Sequence, residues 1–232
     1  MQHQSVHTQL KITLEQAEVV DIIFLDIDGV LLPFGDDSSC GGDTSAHGCI
    51  FPNSTMESLT SLLYKMTDFK LPLNSQLCKG NPKIVLSSTW RAQPAFIKDI
   101  LSSFQCYANA NPSTKDLWKM HADNFFSIVD PNFHSTRHDE IYSWIKRHVD
   151  GNTYDHKTQC KKTQTHTAAN KDFIVRSWIA LDDEELVHVS DAYPDTDKHA
   201  IKTQSSVGLT KADVDLAMHL VKEQITDFSE VK

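Results

Sequence analysis

Two aspartates two residues apart stand at the end of the apolar run DIIFLD (21–26), Asp26 as its last residue and Asp28 just beyond, followed by Gly29. Carboxylates at this spacing converge on one ligand if the backbone turns between them. One can then attack an electrophile while the other moves protons, provided their environments differ. The same DxD spacing also serves as a metal–nucleotide site in sugar transferases, and Asp and Gly are common in ordinary turns. The pair alone does not name a reaction.

Three further clusters carry chemistry. In KIVLSSTWR the apolar run opens into Ser87, Ser88 and Thr89. Hydroxyls and freed backbone N–H groups at such a junction suit an anionic oxygen, and they equally suit the capping of a helix. In WIALDDEEL, Asp182 and Asp183 end another apolar run. Adjacent carboxylates there are costly unless a cation neutralises them, and a hard ion such as Mg²⁺ fits; a solvated acidic turn is the plain alternative. Arg137 precedes a helical pattern beginning near Asp139, from where its guanidinium can brace a phosphate. Together these supply a nucleophile, an acid/base, metal carboxylates, phosphate-binding hydroxyls and a cation.

The elements that must position them are legible as four short apolar runs, at 21–26, 83–88, 125–129 and 177–181, with a weaker one at 199–203. Nearly continuous apolar character over about five residues is the pattern of strands buried on both faces of a parallel sheet. Helical periodicity lies between them. Met56, Leu59, Leu62, Leu63 and Met66 share one face, with Ser54 and Glu57 forming a capping-box signature. Pro94 opens a helix carrying Phe96, Ile97, Ile100 and Leu101, and Ile141, Trp144 and Ile145 share a face in 139–148. Thr210 caps a last helix with Val214, Ala217, Met218 and Val221 inward. The alternation predicts an α/β fold with a doubly wound parallel sheet, and residues 1–232 read as one domain. A Gly-rich loop at 33–53, a polar stretch at 107–123 and a polar Thr/Lys-rich insertion at 149–172 interrupt the pattern.

Composition narrows the partners. The net charge of −9 argues against a broad electrostatic grip on a nucleic-acid backbone, although a compact phosphorylated group needs only a few cations. The five cysteines (Cys40, Cys49, Cys78, Cys106 and Cys160) include no CxxC pair, so neither a disulfide framework nor a zinc ribbon is indicated. Cys40, His47 and Cys49 lie close together but lack a clear fourth zinc ligand. The first twenty residues lack the basic start and apolar core of a signal peptide, and no run reaches a membrane span. A cytoplasmic protein is expected. Trp90 and Trp144 read as packing residues, with base stacking an option for Trp90.

The strand-DxDGV segment, the serines of IVLSS, Arg137 and the Asp182-Asp183 pair resemble, in order and spacing, the motifs of the haloacid dehalogenase (HAD) superfamily of phosphohydrolases. LSSTWR, the Arg137–Glu140–Ile141–Trp144 pattern, LDD and the late Gly208–Thr210 segment resemble the HAD domain of Swiss Army Knife RNA repair proteins. The resemblance implies a Rossmann-like sheet in the order 3-2-1-4-5. It implies that Asp26 attacks phosphorus and forms an aspartyl-phosphate, and that Asp28 serves as acid and then base. It implies Mg²⁺ held by Asp26, the Asp28 carbonyl and the Asp182-Asp183 pair. Ser87 or Ser88, with Ser88 slightly ahead, is expected to bind phosphate beside Arg137, for which Lys146 and Arg147 are the alternatives. In this superfamily insertions called caps set substrate choice, and neither 28–87 nor 91–137 has room for a large one. A minimal or absent cap leaves the site open to large substrates, including a nucleic-acid end. A phosphatase is the leading expectation, ahead of a phosphotransferase or polynucleotide 3′-phosphatase. An inactive interaction domain is disfavoured because all four carboxylates are present.

Overall fold

The structure is a computed structural model that describes residues 18–35, 49–69, 80–114, 127–128, 136–149, 173–186 and 196–230. Most of the Gly-rich loop, including Cys40 and His47, lies outside the described residues, as do 115–123 and nearly all of the 149–172 insertion.

Strand β1 (Glu18–Leu25) is buried from Val20 onward, and Ile22, Ile23, Phe24 and Leu25 are fully buried. Alternate residues of a strand face opposite sides, so a strand apolar on both sides belongs in the middle of a sheet covered by helices. β1 lies there, between β2 (Pro82–Leu86) and β4 (Phe173–Asp182). Short strands β3 (Ser127–Ile128) and β5 (Ala200–Lys202) complete an all-parallel, five-stranded sheet in the order 3-2-1-4-5, as the resemblance implied.

Helices α1 (Asn53–Asp68), α2 (Pro94–Ala110) and α4 (Lys211–Glu230) contribute to the larger core, which takes Ile23 and Leu25 from β1. α3 (Arg137–Val149) packs Ile141 and Trp144 on the opposite side with Val20, Ile22 and Phe24. Trp144 and Trp178 both meet the Phe24 ring edge-on, at 5.3 and 5.8 Å. Full burial of one large apolar side chain contributes roughly 1.5–3 kcal/mol, so these two faces determine the layering of the fold.

Local signals differ from expectation in four places. The Ser54–Glu57 capping box does not form. Pro52 takes the N-cap position without a side-chain cap, and Thr55 Oγ1 donates to the carbonyls of Pro52 (3.0 Å) and Leu31 (2.9 Å), so α1 starts at Asn53. The inward face of α2 is Ile100, Phe104, Tyr107 and Ala108, whereas Phe96 is exposed, and this helix absorbs the first part of the polar 107–123 stretch. Arg137 is the first residue of α3 and does not precede it, because Thr136 and Asp139 exchange capping hydrogen bonds there. β4 is longer than the predicted 177–181 run and begins at Phe173. By contrast, the Thr210 cap is present. Asp213 Oδ2 accepts from the backbone N–H and hydroxyl of Thr210 (2.8 and 2.7 Å), and all four predicted inward residues of α4 are buried.

Candidate active site

Strand register brings the motif residues together. Leu25 pairs with Leu86 on one side and with Leu181 on the other. The next residue on each of the three adjacent chains is therefore Ser87, Asp26 or Asp182, at the carboxyl ends of the strands, where open α/β sheets bind ligands. Two backbone bonds continue this row. Ser87 N–H donates to the Leu25 carbonyl and Asp26 N–H to the Leu181 carbonyl, both at 3.0 Å.

After Asp26 the chain turns tightly. The Ile27 carbonyl accepts from the N–H groups of Val30, Leu31 and Leu32, and Gly29 has φ 69°. A Cβ on Gly29 would lie 2.3 Å from the carboxyl carbon of Asp183, so only glycine lets that carboxylate approach the turn. Thr203 Oγ1 pins the turn by donating to the Gly29 carbonyl at 2.8 Å. Gly208, also at positive φ (76°), leaves room for the Val30 carbonyl, which accepts from Leu209 N–H at 2.8 Å.

The carboxylates meet one another as a result. Oxygens of Asp26, Asp182 and Asp183 lie within 4.8 Å of one another, and Asp26 and Asp182 are buried. Arg137 reaches over them. Its Nη1 lies 3.4 Å from Asp26 Oδ1 and 3.6 Å from Asp182 Oδ2, and donates to the Ser87 carbonyl at 2.6 Å. Burial works against the Arg137 charge, but Asp26, Asp182 and Glu184 outweigh it and raise its pKa above the usual value. Asp182 is pushed up to about 7, by burial first and then by the charges of Asp26 and Glu184, against the pull of Arg137.

Two buried polar atoms here have no hydrogen-bond partner among the described residues: Ser87 Oγ and Asp182 Oδ2. Such atoms are costly when left unsatisfied. The Ser88 hydroxyl, by contrast, accepts from Trp90 N–H (3.3 Å) and caps a short 3₁₀ helix, Thr89–Ala92. Asp28 is half-buried, and its carboxylate accepts from Trp90 Nε1 at 2.9 Å. It lies outside the Asp26–Asp182–Asp183 group.

Sequence reasoning missed the support beneath the serines. Arg91 is buried, donates to the carbonyls of Ser87 and Ser88, and forms an ion pair with Glu140 on α3. Both residues fall inside the strings quoted for the resemblance, but nothing in the sequence pairs them.

Residues 22–156 match the model of a family described as the HAD domain in Swiss Army Knife RNA repair proteins. The chain belongs to that family. No curated protein and no solved structure matches the chain significantly. The matched stretch of this HAD domain includes Asp26, Asp28, Ser87, Ser88 and Arg137. Asp182 and Asp183 lie beyond it and join the site through the pairing of β4 with β1. Membership suggests a HAD-type phosphohydrolase. An acidic cluster suited to a cation is present, and among the described residues no helix is long and apolar enough to cross a membrane.

Proposed function

We propose that the chain is a Mg²⁺-dependent phosphomonoester phosphohydrolase that works through an aspartyl-phosphate on Asp26. The observation that carries this reading is the row Ser87–Asp26–Asp182 at the strand ends, with Arg137 spanning it.

The donor set fits a hard divalent cation. Asp26, Asp182 and Asp183 offer carboxylate oxygens, one of them buried and without a hydrogen bond among the described residues. With the Asp28 carbonyl, these residues would hold Mg²⁺, which neutralises negative charge on the carboxylates and on the phosphoryl oxygens.

In the proposed reaction an Asp26 carboxylate oxygen bonds to phosphorus as the bond from phosphorus to the leaving oxygen breaks. Asp28 gives its proton to that oxygen. Asp28, now ionised, takes a proton from water as the water attacks phosphorus. The bond from phosphorus to Asp26 breaks, releasing phosphate and restoring both aspartates. Ser87, with its unpartnered hydroxyl, is favoured over Ser88 as the hydroxyl that donates to the phosphoryl group. Arg137 balances charge on the same oxygens.

Purified protein should hydrolyse an aryl phosphate only with Mg²⁺, and Asp26→Asn should abolish turnover while leaving the circular dichroism unchanged. Full activity in Asp26→Asn would eliminate the covalent mechanism. The description of the family as a domain of RNA repair proteins supports a second, narrower reading, in which the substrate is a nucleic-acid end such as a polynucleotide 3′-phosphate. Preference for a 3′-phosphorylated oligonucleotide over the aryl ester would support it, and preference for small metabolites would not.

A further inference from the structure

We propose that Trp90 is a positioning residue for Asp28, its indole N–H holding the carboxylate that protonates the leaving group. The inference rests on the phosphohydrolase reading above and goes beyond it in giving proton delivery a dedicated orienting partner.

Asp28 sits on a turn and is half-buried, so its side chain would otherwise sample several rotamers. Trp90 Nε1 donates to its Oδ2 at 2.9 Å across a separation of 62 residues. Trp90 itself is held by three contacts. The ring packs against the larger core and meets Phe96 at a tilt of 44°, with ring centroids 5.0 Å apart, while the Trp90 backbone N–H donates to Ser88 Oγ at 3.3 Å. The neighbouring residue Arg91 ties the same short helix to Glu140 of α3.

The donor type matters. An indole N–H donates and never accepts, so Trp90 cannot take the catalytic proton. With Oδ2 accepting from the indole, Oδ1 is the oxygen left to exchange the proton. That oxygen delivers it to the leaving oxygen as the Asp26–phosphorus bond forms, and recovers a proton from water in the second half of the cycle. Packing alone does not call for an N–H donor here, because an aromatic ring without one could still lie against the core.

The test compares wild type with Trp90→Phe on two esters in saturating Mg²⁺. A nitrophenyl phosphate has a leaving group that departs without a proton, whereas an alkyl phosphate needs one. The ratio kcat/KM reports events up to phosphoryl transfer. For Trp90→Phe the alkyl ester should lose about tenfold or more in kcat/KM, and the nitrophenyl ester no more than about twofold. Phe96→Ala keeps the N–H but loosens the ring, and should show the same pattern more weakly. Equal losses on both esters, or no loss on the alkyl ester, would overturn the proposal while leaving the phosphohydrolase reading standing. Absence of wild-type turnover on both esters and on a 3′-phosphorylated oligonucleotide would remove that reading, and this inference with it.

A second readout needs neither activity nor a folded Trp90 variant. In ¹⁵N-labelled protein, Asp28→Ala should move one of the four indole N–H signals upfield, as expected when a hydrogen bond to a carboxylate is lost. Four unmoved signals would show that the contact is not made in solution and would end the proposal.

Discussion

Strand β1 carries a buried aspartate in its middle and another just past its end, and the two are treated differently. Asp21, 1% exposed, is fully provided for. It accepts from Arg176 Nε (3.0 Å) and Nη2 (2.6 Å), from the Ser177 hydroxyl (2.7 Å) and from Asn81 N–H (3.1 Å). A register shift between Val20 and Asp21 leaves Arg176 as the extra residue of β4, and its guanidinium pairs with the Asp21 carboxylate. Around Asp26 the accounts do not close. Three carboxylates crowd together under one arginine, and Ser87 Oγ and Asp182 Oδ2 have no hydrogen bond among the described residues. A buried charge with every partner in place serves the fold. A buried cluster with excess negative charge and unsatisfied oxygens is arranged for a ligand that carries positive charge and further hydrogen-bonding groups.

The largest effect should come from breaking the satisfied cluster. Arg176→Met leaves Asp21 buried without its cation and should cost about 3–5 kcal/mol in denaturant unfolding, with the activity of each folded molecule unchanged. A loss of activity without loss of stability would reverse the roles assigned to the two clusters.

The next effect tests the unsatisfied cluster through pH. Asp182 titrates near 7 in the folded protein and near 3.9 unfolded. Between those values the folded state holds the extra proton, so the stability that this group contributes is present below about pH 4 and is lost as pH rises through about 7. Metal-free protein should therefore lose a few kcal/mol across that window, and Asp182→Asn should flatten the slope. Mg²⁺ requires the ionised form, so its binding should strengthen with pH and release a proton below pH 7, measurable by calorimetry in buffers of different ionisation enthalpy.

Gly29→Ala should have a smaller effect on folding and a clear one on the site. Positive φ disfavours alanine by about 1–2 kcal/mol, and its Cβ would displace Asp183. Weaker Mg²⁺ binding by about tenfold, with a modest drop in melting temperature, is the expected result. Unchanged metal affinity would remove Asp183 from the ligand set.

The smallest effect separates two helix starts that look alike in sequence. Thr210→Ala should cost about 1 kcal/mol because its hydroxyl caps α4. Ser54→Ala should cost almost nothing, since no side chain caps α1.

That last contrast marks how far sequence reading reaches. A capping box is a statement about four residues. The Ser54–Glu57 box failed because Thr55 instead bonds Leu31, 24 residues away, whereas the Thr210 cap formed. The face of α2 was misread for a similar reason. Phe96 looks like a core residue by type, yet it lies on Trp90 at the surface. Trp90 itself read as packing, and its polar partner Asp28 could not be inferred from local pattern.

Continuous apolar runs specified β1, β2 and β4 because strands buried on both faces must be apolar throughout. The 3.6-residue period specified the inward faces of α1 and α4, and the strand-end position of Asp26 and Asp28 marked the candidate site. The order of the strands came only with the resemblance to a family. Tertiary structure alone decided the rest. Pairing of Leu25 with both Leu86 and Leu181 sets Ser87, Asp26 and Asp182 in one row, gives Arg91 to Glu140, and brings Trp90 to Asp28. These partners lie 49 or more residues apart, and only the sheet register and helix packing, which depend on the whole chain at once, bring them within reach of a hydrogen bond.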